Sequence, residues 1–160
     1  MAEDDESVLP VVSFSVDTSG LEQMKQVAQS MASSGFDEAV GIANATEQKA
    51  QALSKAFIKN AGAKEVNQAQ AIESRLVGHG KSGYVPTGNL QGSIKPEFSQ
   101  DGMSVSIKPE ATNKANDYYG QYVEFGTYKM APEPYMKPSG EKVSADLDDE
   151  FETIVRKAVD

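Results

Sequence analysis

The sequence has no cysteine, only one histidine and no run of about 18 apolar residues, and each of these gaps excludes a class of function. Without cysteine, the chain forms no disulfide and no thiolate metal site, and it has no cysteine nucleophile. A membrane-spanning helix needs about 20 mostly apolar residues in succession. A secretory signal begins with basic residues followed by an apolar stretch, whereas residues 3–6 are all acidic. These absences predict a soluble protein without a classical export signal.

Basic residues are also scarce. The chain has 15 lysines and arginines against 24 aspartates and glutamates, which gives a net charge of −9. Nucleic acid and anionic membrane surfaces carry the same sign of charge and would repel such a protein. We therefore expect no specific binding to nucleic acid and no membrane partner. At 160 residues, of which 39% are hydrophobic, the chain has the size and apolar content of one globular domain.

The start of the chain predicts an arm followed by a strand. Residues 1–10 are acidic and end at a proline, so we interpret them as a flexible arm with too little apolar area to offset its ordering entropy. Val12, Phe14 and Val16 then alternate with polar residues, as in a strand with one buried face. The predicted domain therefore spans residues 11–160.

Helical spacing follows the first strand. Ser19 and Glu22 form a capping-box pattern, and apolar residues recur at helical intervals until a Ser-Ser-Gly sequence at 33–35. A second helical stretch runs from 37 to about 60, with a stop expected at 60–62 and a possible resumption over 63–76. Glycines then predict a flexible loop over residues 78–86.

The second half of the chain favours strands. Alternating residues over 90–99 and 103–108, joined by Gln-Asp-Gly at 100–102, predict a β-hairpin in which Pro96 restricts the first strand to an edge. The aromatic run 118–125 has high β-propensity and ends at Gly126, which predicts a further strand. A loop stiffened by three prolines at 132–138 follows.

A terminal helix completes the predicted fold. Val143, Leu147, Phe151 and Ile154, together with Ala158, lie on one helical face, with Ser139 or Ser144 as the expected cap. The fold class is therefore α+β: a single domain in which amphipathic helices pack on a small antiparallel sheet of about four strands.

The sequence offers little support for catalysis. His79 lies in the glycine-rich stretch 78–83, but a phosphate-binding Walker A loop would need glycine where Arg75 stands. No Gly-x-Ser-x-Gly nucleophile elbow is present, and the acidic cluster at 146–149 lacks the spacing of a calcium loop. We expect no catalytic, cofactor-binding or metal-binding residues and predict that the protein is not an enzyme. The competing hypothesis is a hydrolase that uses His79 with a nearby acid.

Tyrosines form the densest aromatic cluster. They stand at positions 118, 119, 122 and 128, with only Lys114 and Lys129 as basic neighbours. Stacking on single-stranded nucleic acid combines aromatic with basic residues, which are too few here. A sheet face or a protein interface rich in tyrosine is the better interpretation.

Three fragments of the second half resemble a known family. They are Tyr84-Val85-Pro86-Thr87-Gly88-Asn89-Leu90-Gln91-Gly92-Ser93-Ile94, then Tyr122-Val123-Glu124-Phe125-Gly126-Thr127, then Pro132-Glu133-Pro134-Tyr135-Met136-Lys137-Pro138. In this order they resemble the tail-completion or head-tail joining (neck) proteins of lambdoid-type tailed bacteriophages. The fragments lie within residues 84–138, and the looser pattern of elements spans roughly residues 11–158.

The resemblance implies a structural virion protein. Such a subunit assembles in the tail or neck as a homo-oligomeric ring, of sixfold or related symmetry, at the head-tail junction. Its other partners would be neighbouring neck and tail proteins: the tail tube or terminator, and head-closure or adaptor proteins. DNA would pass through the lumen, where acidic side chains would prevent it from sticking. The protein would be made in the host cytoplasm and located in the virion.

The resemblance also nominates residues. Those expected at an assembly interface are Tyr122, Glu124, Phe125, Thr127, Pro134, Tyr135 and Met136; those expected to shape the motif are Thr87, Gly88, Leu90, Ile94 and Gly126. Two alternatives stay open for Tyr135 and Met136, which either dock a partner or seal the core. Glu124 is interpreted either as a rim charge or as half of a salt bridge to a neighbouring subunit.

Other positions and functions compete with this interpretation. Gln91-Gly92 replaces a pair that is often bulkier and more basic in the family, and residues 62–83 look like extra length before the motif. Both departures concern the subfamily, so tail terminator and head-closure subunit are alternatives to tail completion. A different class of function is an acidic, protein-binding regulatory module of a phage, which would bind a basic partner as a monomer or dimer.

Overall fold

The computed structural model describes residues 9–80 and 82–159. Eight elements follow one another along the chain: β1 (Val12–Ser15), α1 (Ser19–Ser33), α2 (Glu38–Leu76), α3 (Asn89–Gly92), β2 (Ile94–Phe98), β3 (Ser104–Pro109), α4 (Gly120–Phe125) and α5 (Met136–Val159). Mixed helix and sheet agree with the predicted α+β class, but the described residues form three strands where about four were expected.

The sheet is antiparallel, with β3 between β1 and β2. Val12 pairs with Ile107, and Ile94 pairs with Pro109. Alternate residues of β3 are buried, as the period of two predicts. The predicted hairpin is confirmed, and β2 is an edge strand, which is why it tolerates Pro96.

The predicted helix break at residues 60–62 is wrong, because α2 continues through it for a total of 39 residues. Gly62 has a packing role here. A Cβ atom at Gly62 would lie 3.1 Å from the Phe98 ring and 3.2 Å from Val105, so the glycine allows the helix to rest closely on the sheet. Asn60, which also resembled a stop, donates a 2.7 Å hydrogen bond to Glu150 of α5.

α2 is the central element of the fold. α5 runs antiparallel along it, with an edge-on contact between Phe57 and Phe151 whose ring centroids lie 5.3 Å apart. The sheet covers another side of α2. α1 packs against the first half of α2, and a Lys25–Glu47 ion pair of 3.2 Å joins the two helices. The main buried cluster joins α2, β3 and α5 with Leu90, Ile94 and Val123.

Several predicted boundaries need correction. Leu90 lies in the short helix α3, where it is fully buried, and the strand begins only at Ile94. The Ser19 capping box does not form; instead, an Asp17 carboxylate oxygen accepts the backbone N–H of Ser19 at 2.9 Å. α5 begins at Met136, so neither Ser139 nor Ser144 is its cap.

The predicted arm and loop are only partly covered by the structure. Residues 1–8 of the arm and Lys81 of the 78–86 loop lie outside the described residues, whereas Leu9 is half-buried and Pro10 is buried. Among the described helices, none combines the length and apolar character needed to cross a membrane.

Candidate assembly surface

The run 118–125 was expected to be a strand, but its second part forms the short helix α4. The carbonyl of Tyr119 accepts the N–H groups of Tyr122 and Val123, which closes the first turn. One face of the helix, including Val123 and Glu124, is buried, while Tyr122 and Phe125 are exposed. Packing on one side overrides the β-propensity of the aromatic residues here.

Glu124 joins two of the motif fragments. Its carboxylate accepts three backbone N–H groups at the start of α5: Tyr135 at 2.7 Å, Met136 at 2.8 Å and Lys137 at 2.9 Å. The next residue, Pro138, has no N–H, so all four positions at the helix start are accounted for. Both expected roles for Glu124 are wrong, because the side chain is buried and caps a helix of its own chain.

Gly126 ends α4 in a conformation that only glycine adopts readily, with φ at 75° and ψ at 176°. A Cβ atom there would lie 2.8 Å from both the carbonyl oxygen of Met130 and the nitrogen of Pro132. The chain then makes a tight turn, in which Thr127 and Met130 exchange backbone hydrogen bonds of 2.8 and 3.2 Å. Gly126 thus lets the segment after α4 fold back against it.

Tyr135 and Met136 lie in the core, with 0% and 1% of their surfaces exposed. The Tyr135 hydroxyl donates to the carbonyl of Gly120 at 3.3 Å. Burial, together with the nearby Glu124 charge, raises the pKa of Tyr135 above its ordinary value, so the phenol stays neutral. Of the two alternatives for these residues, the structure supports the one in which they seal the core.

The 84–94 fragment lies beside α4. Val85 and Thr87 line a shallow cleft together with Tyr122 and Met130. Gly88, with φ at 86°, precedes α3, and the buried side chains of Leu90 and Ile94 hold the segment on the core. The three motif fragments are therefore neighbours in space.

Seven residues were expected at an interface, and the structure divides them. Tyr122, Phe125, Thr127 and Pro134 are exposed, whereas the side chains of Glu124, Tyr135 and Met136 are buried. Two exposed residues that were not nominated lie on the same part of the molecule: Val85, 77% exposed, and Tyr128, 93% exposed. We call the set Val85, Tyr122, Phe125 and Tyr128 the α4 surface.

A carboxylate binds the backbone at the start of the glycine-rich stretch. Glu133 accepts the backbone N–H of Gly78 at 2.7 Å and that of Gly80 at 3.1 Å. Burial opposes the charged form of Glu133, but these hydrogen bonds outweigh it and lower its pKa. Two backbone amides of this stretch, those of Gly78 and Gly80, are thus bound by the protein itself, and His79 is exposed between them.

Comparison of the chain with protein families, curated proteins and solved structures finds no match. The interpretation of the α4 surface therefore depends on its geometry and on the motif.

One turn into α5, Ser139 meets a buried acid of α2. The Ser139 hydroxyl oxygen lies 2.5 Å from Glu65 and 2.8 Å from the carbonyl of Met136, and the second carboxyl oxygen of Glu65 has no partner among the described residues. A single hydroxyl proton cannot be donated to both acceptors. A neutral Glu65 that donates to Ser139, which donates to Met136, satisfies both contacts. Burial raises the pKa of Glu65 to about 7, in agreement with this assignment.

Glu65→Gln is expected to change how stability depends on pH. Between pH 4.5, the ordinary pKa of a glutamate, and about pH 7, Glu65 keeps its proton in the folded protein but has lost it in the unfolded chain. The wild-type protein therefore loses stability across this window as the pH rises, and the glutamine variant does not. One pKa unit corresponds to about 1.4 kcal/mol, so we expect the variant to gain about 2 kcal/mol relative to wild type between pH 5 and pH 8.

Urea unfolding followed by circular dichroism at both pH values measures this difference. Lys64→Gln, which removes a neighbouring exposed charge, is the control and should leave the pH dependence nearly unchanged. Parallel stability curves for wild type and Glu65→Gln would show that Glu65 is ionised in the fold.

Proposed function

We propose that this protein is a structural subunit of a bacteriophage tail or neck, which assembles as a ring of sixfold or related symmetry at the head-tail junction. Its role there is tail completion or joining, without catalysis. Its partners are further copies of itself and the adjoining neck and tail proteins. In the mature particle it is part of the virion.

The observation that carries this proposal is the contact between Glu124 and the start of α5. In the sequence, Val-Glu-Phe-Gly-Thr and Pro-x-Pro-Tyr-Met are separate fragments whose order alone resembled the phage family. In the structure, the glutamate of the first binds three N–H groups of the second. The fragments thus act as one unit that supports α4, which gives a physical reason for their occurrence together.

The α4 surface is the part of this unit that contacts a partner protein. Interfaces between proteins are enriched in tyrosine and other aromatic residues and depleted in charge at their centre. Tyr122, Phe125 and Tyr128 present aromatic rings on a short helix and turn whose backbone is already fixed by Glu124 and Gly126. A partner would therefore bind with little ordering cost.

The lumen of the proposed ring is lined by acidic side chains. Those of α5 at Asp146, Asp149 and Glu152 are exposed. If this face of α5 lines the ring, DNA passing through it is repelled and moves without sticking. A ring structure with these carboxylates only on the outer face would contradict this part of the proposal.

Deletion of the gene from its phage, with and without complementation, tests the proposed function. We expect DNA-filled heads and separate tails of normal length in electron micrographs, and joined particles after complementation. Tails of uncontrolled length would instead indicate a tail terminator, and heads that lose their DNA would indicate a head-closure subunit. Normal infectious particles would contradict a virion role.

The exposed acidic face of α5 also favours a second candidate, an acidic regulatory module that binds a basic partner. That function predicts normal particles after deletion and a monomer or dimer in complex with a host or phage protein. The portal, capsid and tail-tube genes are expected beside this gene only if the virion proposal is correct.

A further inference from the structure

An apolar groove lies outside the α4 surface and shares none of its residues. It has a volume of about 560 Å³ and opens between the start of α1, the middle of α2 and the end of α5. Its apolar lining includes Leu21, Leu53, Phe57, Phe151, Ile154 and Val155. Pockets that bury a ligand group commonly measure about 300–1,000 Å³, so the groove has room for a large side chain.

The most exposed large hydrophobic side chain of the described residues is Tyr128. It stands on the turn closed by Thr127 and Met130, and the Thr127 hydroxyl accepts the N–H of Lys129 at 3.2 Å. The Lys129 ammonium lies 5.1 Å from the centre of the Tyr128 ring. Tyrosine and lysine thus project together from an ordered turn.

These two features do not meet within one molecule, because Tyr128 is 93% exposed and is not among the residues that line the groove. The turn lies near the segment after α2, because Met130 lines the same cleft as Tyr84 and Val85, whereas the groove lies at Leu53 of that helix. At 1.5 Å per residue, the axis of α2 extends about 35 Å from Leu53 to its end at Leu76. A tyrosine at one end and a groove at the other allow a head-to-tail contact between copies, which closes into a ring when the rotation permits.

Charge favours this pairing. Asp17 lines the groove, and Asp148 lies with it along the adjoining cleft of β1 and α5, while Lys49 lies on the α2 wall. Copies of a chain with net charge −9 repel one another in most orientations. Asp17 and Asp148 together carry one negative charge more than Lys49 offsets. The positive charge of Lys129 therefore favours this orientation over others.

We propose that Tyr128 of one copy inserts into the α1–α2–α5 groove of the next copy, with Lys129 beside Asp17 and Asp148. The contact is a specific interface between neighbouring copies. Its closure into a ring rests on the proposed function. The occupant of the groove is thus a second copy of this chain.

Cysteine crosslinking tests the contact in the full chain, since the protein has no cysteine of its own. Ala131→Cys, at an exposed position that leaves Tyr128 and Lys129 in place, is mixed with Thr46→Cys, which places a thiol on the exposed rim of the groove, at high protein concentration under mild oxidation. A docked pair raises the local thiol concentration, and we expect about tenfold more heterodimer than with Lys142→Cys, an exposed position of α5 outside the groove. Equal or absent crosslinking in both mixtures overturns the proposal.

A charge exchange gives a second readout. Lys129→Glu in the Ala131→Cys chain should abolish the excess of crosslinked product, and Asp148→Lys in the Thr46→Cys chain should restore it. Failure of this rescue overturns the assigned orientation. The gene deletion is scored separately: joined particles without the gene refute the virion role even if crosslinking succeeds, and failed crosslinking refutes this contact even if the deletion leaves heads and tails separate.

Discussion

Gly126→Ala is expected to destabilise the protein by about 3–5 kcal/mol, because the substitution combines backbone strain with a steric clash. The backbone at Gly126 has φ at 75° and ψ at 176°, a region essentially restricted to glycine. The added methyl group would also lie 2.8 Å from two backbone atoms, on Met130 and Pro132, which cannot rotate away as a side chain would. Since domains are stable by only about 5–15 kcal/mol, a large part of the stability is lost.

Gly88→Ala is the matched control for this prediction. Gly88 also has a positive φ, 86°, but a Cβ atom there would meet nothing within 4 Å. Only the conformational cost remains, and we expect a loss of about 1 kcal/mol. Urea unfolding of both variants measures the two costs. Equal losses at the two positions would show that the turn after Gly126 moves aside without cost.

The sheet was the most predictable part of the fold. In the hairpin, β3 alternates buried and half-buried residues, and the turn 100–102 contains Gly102 at a φ of 72°. Both signals are local, since a period of two and a turn glycine are visible in a short window of sequence. Pro96 further identified the edge, because a proline cannot donate to a ladder.

Helix boundaries were predicted less well, for reasons outside the local sequence. Gly62 looked like a stop, but its role is set by Phe98 and Val105, which follow more than 35 residues later. The aromatic run before Gly126 looked like a strand, but it forms α4 because Val123 and Glu124 must share one buried face. In both places tertiary contacts decided between conformations that the sequence alone allowed.

The assembly site stays a prediction, but the structure shows which of its nominated residues are exposed and which are buried. The motif pointed to residues 84–94 and 118–138, and the structure brings these segments together. Exposure could not be inferred, because the Pro-x-Pro loop allowed Tyr135 and Met136 either to dock a partner or to seal the core, and the structure shows them buried. Tyr128, the most exposed of the aromatic residues, had no pattern around it other than its place in a tyrosine-rich segment.

Buried glutamates are one reason why contacts between distant segments could not be predicted from the sequence. Glu65, Glu73, Glu124 and Glu133 are all buried, although glutamate is usually exposed. Glu124 and Glu133 each accept backbone N–H groups from a segment distant in sequence, and Glu65 contacts Ser139. Sequence patterns treat glutamate as a surface residue, so such ties between segments are not visible before the fold is known.

Glu124→Ala is expected to cost about 3–5 kcal/mol, since three N–H groups at the start of α5 lose their acceptor and each unsatisfied buried donor costs about 1–3 kcal/mol. Water reaching the vacated site would keep the loss within this range. Glu124→Gln should cost less, about 2–3 kcal/mol, because its amide oxygen still accepts while its NH₂ group faces donors. The loss should appear first at residues 134–138, where amide hydrogen exchange becomes faster than in wild type.

Glu141→Ala provides the control, because Glu141 lies one turn further along α5, is exposed and forms only a 4.0 Å surface pair with Lys137. We expect this variant to stay within about 0.5 kcal/mol of wild type. In equilibrium unfolding, Glu124→Ala should be the least stable of the three variants, Glu124→Gln intermediate and Glu141→Ala the most stable. An unfolding free energy of Glu124→Ala equal to that of Glu141→Ala would mean that the two motif fragments are held together by something other than Glu124, and the central observation behind the proposed function would be lost with it.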